Sequence, residues 1–152
     1  MALCGLGLRK GSFMNVFKHG LVACFLIALA GCQSPMSDMM NNNFVAITPE
    51  PVPEGLAGSW TGNMGPYLVT MKWQSDGHGL FCYSYGTADV LQKLKFSGGK
   101  IQIQDGTKLI LKEQNPESIT VYAPYAAGKD TVLLTDPDYK NASGFCAKAV
   151  NT

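Results

Sequence analysis

The sequence predicts an all-β fold: an antiparallel meander of about eight short strands closing into a small barrel, with a two-sheet sandwich as the alternative. Three observations lead there. After residue 57, apolar and polar residues alternate with a period of two in several segments, as half-buried strands require. Tight-turn dipeptides such as Gly98-Gly99 and Asp105-Gly106 separate those segments, and they are hairpin chemistry. No stretch after residue 57 repeats its apolar positions every 3.6 residues over ten or more places, so no long amphipathic helix is expected. The chain has 152 residues, enough for one ordinary domain. Its formal net charge of +1 and its 15% charged residues argue against a nucleic-acid binder, which needs a basic face.

The first element is not part of that fold. Leu21 to Ala30 is an uninterrupted apolar run, preceded by Lys18 and His19. A basic lead followed by about ten apolar residues is the layout of a secretory signal peptide. A permanent span needs roughly 20. Met14 opens a compact basic lead of its own, so it is a candidate for the true start. The run closes on Leu29-Ala30-Gly31-Cys32, which resembles the lipobox of bacterial lipoproteins at all four positions. The resemblance implies a signal peptide over residues 1–31 and cleavage before Cys32. It also implies a diacylglycerol thioether on the Cys32 sulfur and an acyl chain on its new amino group. Each buried CH₂ contributes about 0.8 kcal/mol, so several chains anchor stably. Two plainer readings compete: ordinary cleavage after Ala28-Leu29-Ala30, or a buried helix with a chance Cys. Gln33 rather than Asp follows the Cys, which by the family's sorting pattern implies the outer membrane, with the domain facing the periplasm or the surface.

Residues 32–56 read as the lipidated Cys and a flexible linker. Asn41-Asn42-Asn43 and the alternating Pro49, Pro51 and Pro53 favour extended chain over helix. The alternative is that Phe44 to Ile47 docks on the domain as an edge segment. The domain itself is expected over 57–152.

Its strands follow in order. Gly58-Ser59-Trp60 opens the domain. Tyr67, Val69, Met71 and Trp73 alternate with Leu68, Thr70, Lys72 and Gln74. Leu80 to Tyr85 is aromatic-rich. Val90 to Phe96 alternates again, although residues 87–96 also suit one or two helical turns. Lys100 to Gln104, Thr107 to Glu113, Ser118 to Tyr122 and Thr131 to Thr135 are β-rich, and Gly144 to Val150 is expected as a closing strand. Eight strands form a barrel whose interior side chains can fill, or which holds one small ligand. Gly58-Ser59-Trp60 resembles the Gly-x-Trp of calycin-type barrels, which implies that Trp60 plugs one end. The Arg that covers that Trp in lipocalins has no counterpart, since Arg9 is the only Arg in the chain.

Two cysteines remain after the leader and Cys32: Cys82 and Cys146. An even pair in an oxidising envelope compartment reads as a disulfide, pinning the last strand to the Leu80–Tyr85 strand. Two Cys with one His in a separate turn make a poor metal site, so none is expected.

Catalytic chemistry is hard to assemble. His78 lies between two glycines in a turn. Ser84 with Asp76 or Asp89 could be invoked beside it, but no Gly-x-Ser-x-Gly elbow is present. Asp136 to Asn141 clusters oxygens, yet Pro137 and Lys140 break the EF-hand pattern, and solvated carboxylates in a turn are expected. Tyr side chains suit docking surfaces. Tyr125, beside Pro124, and Tyr139 are the candidate exposed binding residues, whereas Tyr83 and Tyr85 share Phe81's face as core or binding strip.

The expectation is a non-enzymatic, lipid-anchored outer-membrane protein similar to the small envelope lipoproteins of Gram-negative bacteria. Its β domain serves binding or envelope scaffolding. Inhibition of a lysozyme or protease is one alternative, and carriage of a small apolar ligand or lipid is another. The expected partners are membrane lipid through Cys32 and an envelope protein or small ligand. No cofactor is expected beyond the lipid on Cys32, and no nucleic acid.

Overall fold

A computed structural model describes residues 39–124 and 128–151. The leader, Cys32 and Tyr125 lie outside the described residues. Eight antiparallel strands close into one barrel in simple sequence order: β1 (Gly58–Met64), β2 (Tyr67–Trp73), β3 (His78–Tyr85), β4 (Ala88–Ser97), β5 (Lys100–Ile103), β6 (Lys108–Gln114), β7 (Ser118–Tyr122) and β8 (Asp130–Thr135). β8 returns to β1 through Trp60↔Thr135 and Thr61↔Leu134. The meander and its closure match the expected barrel rather than the sandwich. Residues 88–97 are strand throughout, not helical turns. Closure decides that: the register Cys82↔Leu91 and Leu94↔Ile103 pairs β4 on both sides, and both ladders are lost if the segment coils.

Because side chains alternate across a strand, every second residue points inward. Trp60, Val69, Met71, Trp73, Phe81, Leu94, Phe96, Ile101, Ile103, Leu109, Ile119, Val121 and Leu133 form one buried cluster. Each fully buried large apolar side chain stabilises by roughly 1.5–3 kcal/mol.

Part of the stretch read as linker is packed on this barrel. The Pro residues at 49, 51 and 53 lack an N–H, so the residues between them supply the donors. Glu50 N–H donates to the Phe96 carbonyl at 2.8 Å and Val52 N–H to the Ser75 carbonyl at 3.2 Å. The Glu50 carboxylate accepts from Gly98 N–H at 3.0 Å. This strap crosses one end of the barrel and inserts Leu56, fully buried, into the core cluster. Upstream, a 3-10 turn (Phe44–Ala46) is clipped to β4: the Lys95 ammonium donates to the carbonyls of Phe44 (3.0 Å) and Ile47 (2.8 Å). Packed structure thus begins well before residue 57.

The strap needs Gly77 bare. Gly77 has φ +89°, and a Cβ there would sit 2.0 Å from the Glu50 carbonyl oxygen. Gly86 has φ +58° with open space around it. Gly77→Ala is expected to destabilise the domain by about 1–3 kcal/mol more than Gly86→Ala, since both incur backbone strain but only the first evicts the strap. Urea unfolding of the two variants checks this; equal losses would mean that the strap contributes nothing.

The C-terminal residues differ from expectation. Gly144–Ala149 is an α-helix, α1, not a strand. Ser143 caps it, accepting from Cys146 N–H at 3.1 Å, which satisfies an otherwise orphaned donor. The helix lies on the outer face of β3, where Cys82 and Cys146 form a disulfide with 5.6 Å between Cα atoms. The Lys72 ammonium donates to the Val150 carbonyl at 2.7 Å, favourable for a cation at a helix C-terminus. Nor is Asp136 a solvated turn carboxylate. It is buried and accepts from the backbone N–H groups of Lys140 (2.9 Å) and Asn141 (3.1 Å). Its carboxylate winds the turn that delivers α1 to the barrel wall.

Candidate functional site

The strap shuts one end of the barrel. Trp60 sits there, 2% exposed, with its indole N–H donating to the Leu56 carbonyl at 2.8 Å. Trp73 and Phe96 stack edge to face beside the strap, ring centroids 6.4 Å apart. At the other end, among the described residues, the β1–β2, β3–β4 and β5–β6 turns form a rim. Below that rim is a cavity of about 440 Å³, within the range of small-molecule sites.

Its walls differ. On one side Phe81, Tyr83, Tyr67 and Tyr85 climb from core to solvent. Ring centroids are 5.9 Å apart for Phe81 and Tyr83, and 5.3 Å for Tyr67 with each of Tyr83 and Tyr85. Phe81 is buried, Tyr83 half-buried and Tyr85 exposed, so the strip is core at its foot and surface at its top. Val69, Ile103 and Leu109 line the lower part, and Met64 and Ala123 lie at the sides. Opposite, Asp105 and Thr107 bring polarity. The Asp105 carboxylate accepts from Thr107 N–H at 2.8 Å and from the Gln92 amide at 3.2 Å. The amide oxygen of Gln92 is buried with no hydrogen-bond partner. An apolar cup whose wall carries Asp105 and Thr107 on one side suits an amphiphile.

The anticipated residues are scattered. Trp60 is at the closed end. Tyr139 lies against the outer wall beside Cys82, Cys146 and Val150, its hydroxyl accepting from Ser59 at 3.0 Å. His78 begins β3 and pairs with Asp76 at 3.1 Å. The His78 backbone N–H, and then its ring, hold the Asp76 carboxyl below its ordinary pKa. Ser84 lies six residues further along the same strand, roughly 20 Å away, hydrogen-bonded to Asp89 and Ser143. No Ser–His pair forms there. Among the described residues no three His, Cys, Asp or Glu side chains converge. Sequence reasoning missed Tyr67, Gln92, Asp105 and Thr107. The alternation put Tyr67 on the Val69 face and Gln92 on the Leu94 face, but only closure reveals which strand ends make a mouth.

Residues 41–150 match the model of a protein family described as "Bacterial lipocalin LPS transport optimiser YedD". No curated protein and no solved structure matches the chain.

Proposed function

Since the chain belongs to this bacterial lipocalin family, we propose that it is an envelope lipoprotein that assists lipopolysaccharide transport by holding part of an acyl-bearing lipid in the open cup. The observation that carries this reading is the 440 Å³ cavity, apolar on most sides and open at one end of a barrel closed at the other. A chain end entering it loses contact with water and gains apolar contacts, while Asp105 and Thr107 face a polar group at the lip. The function is binding, not catalysis. Cys32 carries the diacylglycerol and N-acyl chains in this reading and holds the domain at the outer membrane.

A photo-crosslinking residue replacing Tyr67, in the full chain in living cells, tests it. The expected product is an adduct with lipopolysaccharide. Ala123→Phe, which fills the cup, is expected to lower that adduct at least about tenfold at equal protein level, the loss from about 1.4 kcal/mol of binding. Non-reducing electrophoresis showing the Cys82–Cys146 bond controls for folding. Adducts with proteins only, or an adduct indifferent to Ala123→Phe, would overturn the proposal.

A further inference from the structure

We propose that the outer face of β4–β5–β6 docks on a bilayer surface bearing anionic phosphate headgroups. The inference rests on the anchoring of Cys32 and adds to it an orientation.

Charge is segregated on this barrel. Nine Lys and eleven acids follow residue 31. Five of those lysines belong to three adjacent strands: Lys93, Lys95, Lys100, Lys108 and Lys112. Because Leu94, Phe96, Ile101, Ile103 and Leu109 are core, alternation turns Lys93, Lys95, Lys100 and Lys108 outward. Lys112, past Ile110, sits with its ammonium 4.8 Å over the Tyr122 ring. No Asp or Glu occurs between Val90 and Gln104, or between Thr107 and Lys112. The nearby acids are otherwise engaged or peripheral. Asp105 is turned to Gln92 and Thr107. Glu50 is bound at Gly98, Asp89 is on Ser84, and Glu113 lies beyond the stripe. Elsewhere on the described surface four lysines stand among Glu54, Asp76, Glu117, Asp130 and Asp138.

The chain enters the fold on the same face. Asn42 donates to the Gln104 carbonyl at 2.9 Å, and Lys95 grips the Phe44 turn. Around this entry Met40 and Val45 are 80% and 94% exposed, and Met39 is half-exposed. Between the Phe44 turn and Lys93 lies a cleft of about 630 Å³, roomy enough for a headgroup. Exposed apolar residues among lysines are the chemistry of interfacial binding. Chain length supplies the occupant. From Cys32 to Met39 is seven peptide steps, at most about 25 Å. Docking of residues 42–56 on the barrel takes up most of the leash, so a lipid on Cys32 keeps the lysine face, and not the far wall, next to the bilayer.

The test uses the mature chain, purified from membranes and reconstituted into phosphatidylcholine vesicles with or without phosphatidylglycerol. A photo-crosslinking residue stands at Gln102, within the stripe, or at Val132, an exposed apolar position on β8. Lipid labelling is expected at Gln102 in the anionic vesicles only, and at Val132 in neither. Each lysine near an anionic surface contributes about fivefold, so Lys93→Gln with Lys100→Gln should reduce labelling about 25-fold. The double Arg variant should retain it. Anchored protein that labels equally at both positions, or in both vesicle types, overturns the docking alone. A wild-type chain without lipid that still sediments only with anionic vesicles supports docking and overturns the anchor. A chain that sediments with neither overturns both. Labelling at Gln102 that appears only in native envelopes, and only on proteins, assigns the face to an acidic protein and overturns the membrane reading.

Discussion

Trp60→Ala is expected to cost about 3–5 kcal/mol, the range for truncating a large buried aromatic. The indole is 2% exposed at the closed end of the barrel and belongs to the main core cluster. Its removal leaves a cavity that the strap above cannot fill, because Glu50 and Val52 hold the strap to Phe96 and Ser75. It also strands the Leu56 carbonyl, which accepts the indole N–H; a buried acceptor left alone costs about 1–3 kcal/mol. Small domains are stable by only about 5–15 kcal/mol, so the variant is expected to be largely unfolded near physiological temperature. Trp60→Phe separates the two contributions. It keeps most of the volume, loses the hydrogen bond, and should lie between the wild type and the alanine variant. Urea unfolding measures both. A Trp60→Ala loss below about 0.5 kcal/mol, the scale of an ordinary surface change, would refute the plug.

Removing the Cys82–Cys146 bond is expected to have an effect of similar size. The two residues are 64 apart in sequence. By the chain-entropy account a loop of that length restrains the unfolded chain by about 4 kcal/mol. Here the bond also secures α1, which is six residues long and far too short to persist alone. Its fixed neighbours are few: Val150, Leu80, Tyr139 and Ala142 beside the disulfide, Ser84 on the Ser143 cap, and the Lys72 contact at its end. Cys146→Ser is therefore expected to release the helix first and to lower the melting temperature by roughly 15–20 °C. The barrel core is separate from the disulfide cluster and should keep its strands. Amide exchange that accelerates most over Gly144–Val150, and over β5 and β6 only by the loss of global stability, is the expected pattern. Acceleration of equal size over Gly144–Val150 and over β5 and β6 would mean that the helix is not released ahead of the barrel.

The strand pattern was open to reading residue by residue. Val69, Met71 and Trp73, like Ile101 and Ile103, are buried at alternate positions because they face the barrel interior, and Thr70, between Val69 and Met71, is buried on the outer face against Thr61. Turn chemistry at Gly98-Gly99 and Asp105-Gly106 placed two hairpins correctly for the same local reason. The C-terminal segment misled because Phe145, Cys146 and Val150 carry β-type side chains. The competing signal was present in Ser143, a good N-cap three residues before Cys146, and a cap outweighs weak propensity over six residues. Asp136 misled differently. An Asp beside Pro and Asp looks solvated, but the chain four and five residues on turns its backbone N–H groups back onto the carboxylate.

The sequence by itself determined the strand-forming segments, their in–out polarity and the pairing candidates Cys82 and Cys146, since each depends on neighbours within a few positions or on simple arithmetic. Tertiary structure alone decided which end of the barrel is shut, which strand ends meet as a cup, and that a proline-spaced segment lies as a strap. Those depend on closure, which seats β8 on β1 and encloses Trp60 and Leu133 in one core. Proximity between distant residues is a property of the closed ladder and has no periodic trace in the chain.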